Sequence, residues 1–130
     1  MTGPILILLV EDEPLILEML EDPLKDGGYE VAKAGSGEQA IEKLEADAAA
    51  FSALITDINL GRGRLTGWDV AKRARELNPA LPVIYMTGDS GHEWAANGVP
   101  NSVLLMKPFA PAQAVTAVSH LLNASPPPTA

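Results

Sequence analysis

The chain has 130 residues, 47% of them apolar and 20% charged, which is typical of one globular domain. A formal net charge of -8 argues against a surface that binds nucleic acid directly, because such a surface normally needs a basic patch. The absence of cysteine excludes disulfides and thiolate chemistry, and two distant histidines argue against a histidine-rich metal site.

The N-terminus gives no sign of targeting or of membrane insertion. Its apolar run at residues 5–10 has no basic flank and is far too short for a signal peptide or a membrane span. We therefore expect a cytoplasmic protein that does not contact the membrane.

Continuous apolar runs predict strands that are buried on both faces, as in a parallel sheet. A weaker run predicts one more strand near an edge. In chain order the five runs lie at residues 5–10, 29–34 (the weaker one), 53–56, 83–86 and 102–106.

Helical periodicity fills the intervals between these runs. The first predicted helix begins at Pro14, the second follows the N-cap Ser36, and the third stops before Pro79. A weak, short helix is predicted at 90–96, and the last begins near Pro111. This (βα)5 alternation predicts a doubly wound, three-layer α/β domain with helices on both faces of the sheet.

Two proline-containing segments depart from regular patterning. Pro23 falls inside the first helix and should kink the chain or end its regular hydrogen bonding early. The Pro-rich segment at 124–130 should be a disordered or extended tail. No second domain fits after residue 123.

Polar side chains follow four of the predicted strands. Glu11 and Asp12 end the first strand, Asp57 the third, Thr87 the fourth and Lys107 the fifth. The carboxyl ends of parallel strands share one edge, where ligands bind in open α/β sheets. We expect these five side chains to lie together.

The three carboxylates are candidate ligands for a hard cation, Mg²⁺ or Mn²⁺, which would offset their mutual repulsion. Glu11 and Asp12 alone would equally well cap the following helix, where negative charge meets the helix dipole. Asp57 on a separate strand favours a metal site. Its own simplest roles are metal ligand, general base or nucleophile toward phosphorus.

The hydroxyl and the ammonium fit phosphoryl chemistry, which needs positioning and charge neutralisation. Thr87 alone would be interpreted as a strand-end turn former. Lys107 is more informative, because lysine is rarely buried unless it is paired.

These motifs together resemble the receiver domain of two-component response regulators. VEDE at 10–13, Asp57-Ile58-Asn59, Thr87-Gly88 and Lys107-Pro108-Phe109 stand in the order of that family. The resemblance covers residues 4–123 and implies a receiver domain at 1–123 followed by the tail. It implies a flavodoxin-like fold, with a five-stranded parallel sheet in the order 2-1-3-4-5 and a cis peptide bond before Pro108.

The resemblance also implies roles. Asp57 would accept a phosphoryl group from a phosphohistidine on a sensor histidine kinase or histidine phosphotransfer protein, with Thr87 and Lys107 holding the group. Mg²⁺ would bind Asp12, Asp57 and the backbone carbonyl of Asn59, and Glu11 would act mainly through water. Such a domain is a signalling phosphoacceptor that catalyses only its own phosphorylation and dephosphorylation.

Two positions depart from the family pattern. Leu104 stands three residues before Lys107, where the family usually has the aromatic partner of the switching hydroxyl. The loop at 61–67 is longer than usual and rich in glycine, so it should be mobile. Its arginines, Arg62 and Arg64, are interpreted as solvated loop charges, the alternative being contact with an acidic partner or a phosphate.

The leading hypothesis is a stand-alone receiver whose output is protein contact; a receiver cut from a longer protein remains open. A phosphorylation-independent interaction module is favoured by Leu104 and opposed by the complete set of acidic, hydroxyl and lysine residues. A small aspartate-nucleophile phosphatase is disfavoured, because Asn59 stands where such enzymes carry a second aspartate.

Overall fold

Five strands alternate with five α-helices in the computed structural model, which describes residues 5–61, 63–89 and 91–123. Each element falls where the sequence predicts one. The strands are Leu6–Val10 (β1), Glu30–Ala34 (β2), Ala53–Asp57 (β3), Val83–Thr87 (β4) and Ser102–Met106 (β5). The helices are Pro14–Asp26 (α1), Gly37–Asp47 (α2), Gly67–Leu77 (α3), Trp94–Asn97 (α4) and Pro111–Asn123 (α5).

The strands form one parallel sheet in the order β2-β1-β3-β4-β5. This confirms the predicted flavodoxin-like (βα)5 architecture and its strand order. From β1 the chain first adds β2 on one side of the sheet and then β3 on the other, so β1 and β3 flank the point where the strand order changes direction. The crevice beyond the carboxyl ends of these two strands is the expected ligand site.

Two apolar layers hold the helices against the sheet. Successive strand residues point to opposite faces, so the continuous runs supply both layers at once. One layer includes Leu8, Leu54 and Tyr85 and packs beneath α2 and α3. The other includes Ile7, Ile55 and Ile84 and packs beneath α1 and α5.

The sequence predicts that Pro23 kinks the first helix or ends its regular hydrogen bonding early. The early end is wrong, because the helix continues to Asp26. The missing N–H of Pro23 falls in the last turn, and Leu20 and Leu24 on either side of it are buried against the sheet. We infer that this packing outweighs the lost hydrogen bond. The predicted tail at 124–130 lies outside the described residues.

Of the remaining helices, α2 begins at its predicted capping residue. The Ser36 side chain accepts the Gln39 N–H at 3.1 Å and begins α2, as predicted. The weak helix prediction at 90–96 corresponds to α4, a single turn preceded by a 3-10 turn. Among the helices of the described ranges, none combines the length and apolar character needed to cross a membrane.

Candidate functional site

Three carboxylates meet at the carboxyl edge of the sheet, as the strand ends predict. Asp57 is the last residue of β3, and Glu11 and Asp12 directly follow β1. One oxygen from each residue lies within 4.8 Å of the others. Glu11 and Asp57 are buried, with 0% and 5% of their surface exposed, whereas Asp12 is half-buried.

Lys107 is the shared counter-ion of the two buried carboxylates. Its Nζ atom lies 3.1 Å from Asp57 Oδ2 and 3.2 Å from Glu11 Oε1. Its backbone N–H donates to the carbonyl oxygen of Thr87 at 2.7 Å, which extends the pairing of β4 with β5 to the residue that carries the ammonium. The Lys107–Pro108 peptide bond is cis, as the resemblance implies.

The charges in this cluster shift one another's protonation. Burial, reinforced by the negative charge of Asp57, raises the pKa of Glu11 from 4.5 to about 7. Burial opposes the charge of Lys107, but its attraction and hydrogen bonds to Asp57 and Glu11 outweigh that effect and raise its pKa. Lys107 is therefore a permanent cation in the site at neutral pH.

Thr87 and Asn59 also lie at this edge and are connected by Asp89, which sequence reasoning missed. Asn59 Nδ2 donates to Asp89 Oδ1 at 2.9 Å. The Asp89 backbone N–H faces the hydroxyl oxygen of buried Thr87 at 3.3 Å. The sequence could have indicated Asp89, because it lies only two residues after Thr87, the last residue of β4.

The helix-cap alternative for Glu11 and Asp12 receives limited support. The N-cap of α1 is Glu13, whose side chain makes no capping hydrogen bond. Glu11 Oε2 does accept the Glu13 N–H at 3.1 Å, just before the helix. Asp12 Oδ2 instead accepts the N–H of Gly61, at 3.2 Å, in the loop after β3. Asp12 is therefore directed toward the loop after β3.

Gly67 explains how α3 begins so close to Asp57. Its N–H donates to the Ile58 carbonyl at 2.8 Å, and a Cβ at this position would overlap the backbone carbonyl of Asp57. Thr66 and Asp69 form a capping box around the same turn. Only glycine allows the helix to start against the end of β3.

Leu104 occupies β5 in register with Tyr85 of β4. It is half-buried and packs against the core layer beneath α2 and α3. The strand neighbour Tyr85 is aromatic: its ring centroid lies 4.8 Å from that of Trp68, and its hydroxyl accepts the Val99 N–H at 3.1 Å. The usual aromatic position is therefore filled by an aliphatic side chain.

Several polar side chains outside the carboxylate cluster lie at the surface. His92 and His120 are both exposed and lie away from the carboxylate cluster in sequence. Arg64 is exposed, as expected of a solvated loop charge, whereas Arg62 lies outside the described residues. The Trp94 Nε1 donates to Ser102 Oγ at 2.9 Å and fastens α4 to the start of β5.

The donor set of the cluster fits Mg²⁺. Its ligand atoms are carboxylate oxygens, the hard donors that Mg²⁺ prefers, and they converge within a few ångströms without any sulfur or imidazole. Lys107 neutralises part of the negative charge, and the half-buried Asp12 leaves one side accessible from solvent.

Comparison with known proteins identifies the family. The family model described as "Response regulator receiver domain" matches residues 7–119. This chain belongs to the response regulator receiver family. Receiver domains of this family act in two-component signalling, which agrees with the resemblance found in the sequence.

Solved structures of receiver domains share the fold over nearly the whole chain. A response regulator receiver protein from Sinorhizobium medicae is 45% identical with a TM-score of 0.88, covering 93% of this chain and 96% of that chain. The receiver domain of sensor histidine kinase PA1611 from Pseudomonas aeruginosa is 25% identical with a TM-score of 0.79, covering 94% and 100%. That structure is described as having a magnesium ion coordinated in the active site cleft.

Curated relatives are mostly longer than this receiver domain. The transcriptional regulatory protein ZraR of Escherichia coli O157:H7 is 31% identical over 129 residues, 93% of this chain but 28% of that protein. The response regulator receiver protein CpdR of Brucella abortus is 35% identical over 82 residues, 63% of this chain and 65% of that protein. The chain thus spans about a quarter of ZraR.

Proposed function

We propose that this receiver domain accepts a phosphoryl group on Asp57 from a phosphohistidine of a sensor histidine kinase or histidine phosphotransfer protein. The observation that carries the proposal is the Lys107 ammonium, 3.1 Å from the Asp57 carboxylate at an edge that also carries Glu11, Asp12 and Thr87. An ion pair that served stability alone would not need two further carboxylates beside it.

The transfer is a displacement at phosphorus. A carboxylate oxygen of Asp57 forms the new P–O bond, the P–N bond to the donor imidazole breaks, and its electron pair stays on the imidazole nitrogen. The group adds negative charge and acceptor oxygens. Lys107 would pair with that charge, and the Thr87 hydroxyl would donate a hydrogen bond. Most of the catalysis is positioning.

Asp12, Asp57 and the backbone carbonyl of Asn59 would hold Mg²⁺ directly, with Glu11 acting through water. When bound, Mg²⁺ would supply positive charge that neutralises the oxygens of the transferring group. The convergence of the three carboxylates supports this assignment. So does the magnesium ion described for the P. aeruginosa receiver.

The role that follows is a cytoplasmic signalling phosphoacceptor rather than an enzyme with a separate substrate. It would catalyse only its own phosphorylation and dephosphorylation, and its output would be contact with another protein. The acidic net charge of -8 supports a protein target over direct binding to nucleic acid.

Beryllofluoride, which mimics an acyl phosphate, tests the site. The protein with Mg²⁺ and beryllofluoride should show large NMR shifts at the amides of residues 57–59 and 87–89. Asp57→Asn should abolish them, while the control Asp47→Asn at the end of α2 should not. No shift in the wild type would refute the proposal and favour a phosphorylation-independent interaction module. Turnover of free phosphate monoesters would instead indicate a phosphatase.

A further inference from the structure

Glu38, the second residue of α2, contacts the loop that follows the acceptor strand. Its Oε2 atom accepts the Arg64 backbone N–H at 3.0 Å. Its carboxylate also lies so close to Gly63 that a Cβ there would overlap it. Next to it, Leu65 packs on Gly37, where an added Cβ would come within 2.7 Å of the Leu65 Cβ. The start of α2 and this loop therefore fit closely.

The same loop reaches the carboxylate cluster at its other end. The Gly61 N–H donates to Asp12 Oδ2 at 3.2 Å, and Leu60 beside it is buried in the core. The Gly63 N–H donates to the Leu60 carbonyl at 3.3 Å and joins the two halves. Residues 60–61 and 63–65 form a bridging segment. It connects Glu38 with Asp12.

We propose that Glu38 is a positioning residue for Asp12, acting through the bridging segment on Mg²⁺ binding; this inference rests on the proposed metal site. By fixing the backbone at residues 63 and 64, Glu38 holds the Gly61 N–H against Asp12 Oδ2. That hydrogen bond would hold the Asp12 carboxylate in the orientation in which one of its oxygens lies within 4.8 Å of those of Glu11 and Asp57.

Glu38 would matter for Mg²⁺ binding because fixing the conformation of the loop costs conformational entropy. A glycine-rich loop is expensive to fix, and without a contact at its far end the Gly61 N–H would be held less often against Asp12. Outer hydrogen bonds to a metal ligand commonly change metal affinity by about 10- to 100-fold. Coupling is also reciprocal, so Mg²⁺ binding should in turn protect the amides of Gly61 and Arg64 from exchange.

Two independent readouts test the inference on the whole chain. The first is NMR hydrogen exchange at the Gly61 and Arg64 amides in the metal-free protein, which should be faster in Glu38→Ala than in the wild type. The second is the Kd for Mg²⁺ by titration, which should rise about 3- to 10-fold in Glu38→Ala, less than for loss of a direct contact.

Three further variants separate the hydrogen bond from other effects. Glu38→Gln keeps an acceptor oxygen and should restore most of the Mg²⁺ affinity. Glu42→Ala removes the same charge one turn further along α2 and should leave the Kd unchanged. Gly63→Ala displaces the Glu38 carboxylate without removing it and should weaken Mg²⁺ binding, which keeps the test valid if Glu38→Ala folds poorly.

The outcomes distinguish this inference from the proposed function. A wild type that binds no Mg²⁺ overturns the metal site and this inference with it. A wild type that binds Mg²⁺, together with an unchanged Kd in both Glu38→Ala and Gly63→Ala, overturns the inference alone. Equal weakening by Glu38→Gln and Glu38→Ala would also overturn it, because charge rather than the hydrogen bond would then be responsible.

Discussion

The Nζ atom of Lys107 lies 3.1 Å from Oδ2 of Asp57, although 50 residues separate them in sequence. The same nitrogen lies 3.2 Å from Glu11 Oε1. Lys107 therefore acts as the counter-ion of two buried carboxylates before any phosphoryl transfer. After transfer to Asp57, we expect the same ammonium to pair with a phosphoryl oxygen without moving far.

Replacement of Lys107 tests its role as counter-ion. Lys107→Met leaves the carboxylates of Glu11 and Asp57 buried without a cation, which should lower the free energy of unfolding by about 2–3 kcal/mol at pH 8. The loss should be smaller at pH 6, where Glu11 is largely protonated. Urea unfolding in EDTA measures both values.

The exposed Lys43→Met on α2 is the matched control for this substitution and should change stability little. An equal loss of stability in the two lysine variants would mean that the contacts of Lys107 with the carboxylates contribute nothing.

The raised pKa of Glu11 predicts how the metal-free stability depends on pH. Burial and the charge of Asp57 raise this pKa from 4.5 to about 7, so the folded state binds the proton more tightly than the unfolded chain. The resulting stabilisation is complete below the unfolded pKa and is lost as the pH rises through the folded pKa. Between pH 5 and pH 8 we expect a fall on the order of 2–3 kcal/mol.

Glu11→Gln cannot titrate, and its free energy of unfolding should vary much less over the same range. Urea unfolding in EDTA at several pH values checks both proteins. Parallel pH profiles for the wild type and the variant would show that Glu11 does not account for the dependence.

Gly67 should tolerate no side chain. Gly67→Ala places a methyl group against the backbone carbonyl of Asp57 and should cost about 1–3 kcal/mol of stability. Gly88→Ala is a matched control at the same sheet edge, because nothing lies within 4 Å of a Cβ there. It should stay within about 0.5 kcal/mol of the wild type. Thermal unfolding compares the two, and similar losses would argue against the close approach of α3 to β3.

Tyr85 should contribute through its hydroxyl as well as its ring. Tyr85→Phe leaves the buried Val99 N–H without its acceptor and should cost about 1–3 kcal/mol. Tyr29→Phe also removes a hydroxyl contact, the 2.6 Å hydrogen bond to Ser119 in a partly exposed place, where water can replace it at lower cost. Urea unfolding should rank Tyr85→Phe as clearly the more damaging variant.

The fold follows from local pattern because four of the five strands, all except β2, lie on continuous apolar runs. A run such as Ala53–Asp57, buried at every position, has no alternative register that exposes a polar face. The cluster of Glu11, Asp12, Asp57 and Lys107 follows in turn, because parallel strands bring their carboxyl ends to one edge.

Contacts between loops could not be predicted in the same way. The Asn59–Asp89 and Glu38–Arg64 hydrogen bonds join segments whose separation depends on loop conformation, which hydrophobic periodicity does not encode. Pro23 shows the complementary error for one of its two predicted effects, since α1 does not end early there and buried leucines lie on both sides of the proline. We infer that the packing of these leucines against the sheet sets where α1 ends.

The most direct test of the central claim is the intact mass of the protein after incubation with acetyl phosphate and Mg²⁺. We predict a species heavier by one phosphoryl group, sensitive to hydroxylamine as an acyl phosphate should be. It should be absent in EDTA and absent in Asp57→Asn. A wild type that gains no phosphoryl group, or an Asp57→Asn variant that gains it equally, would contradict the assignment of Asp57 as the acceptor.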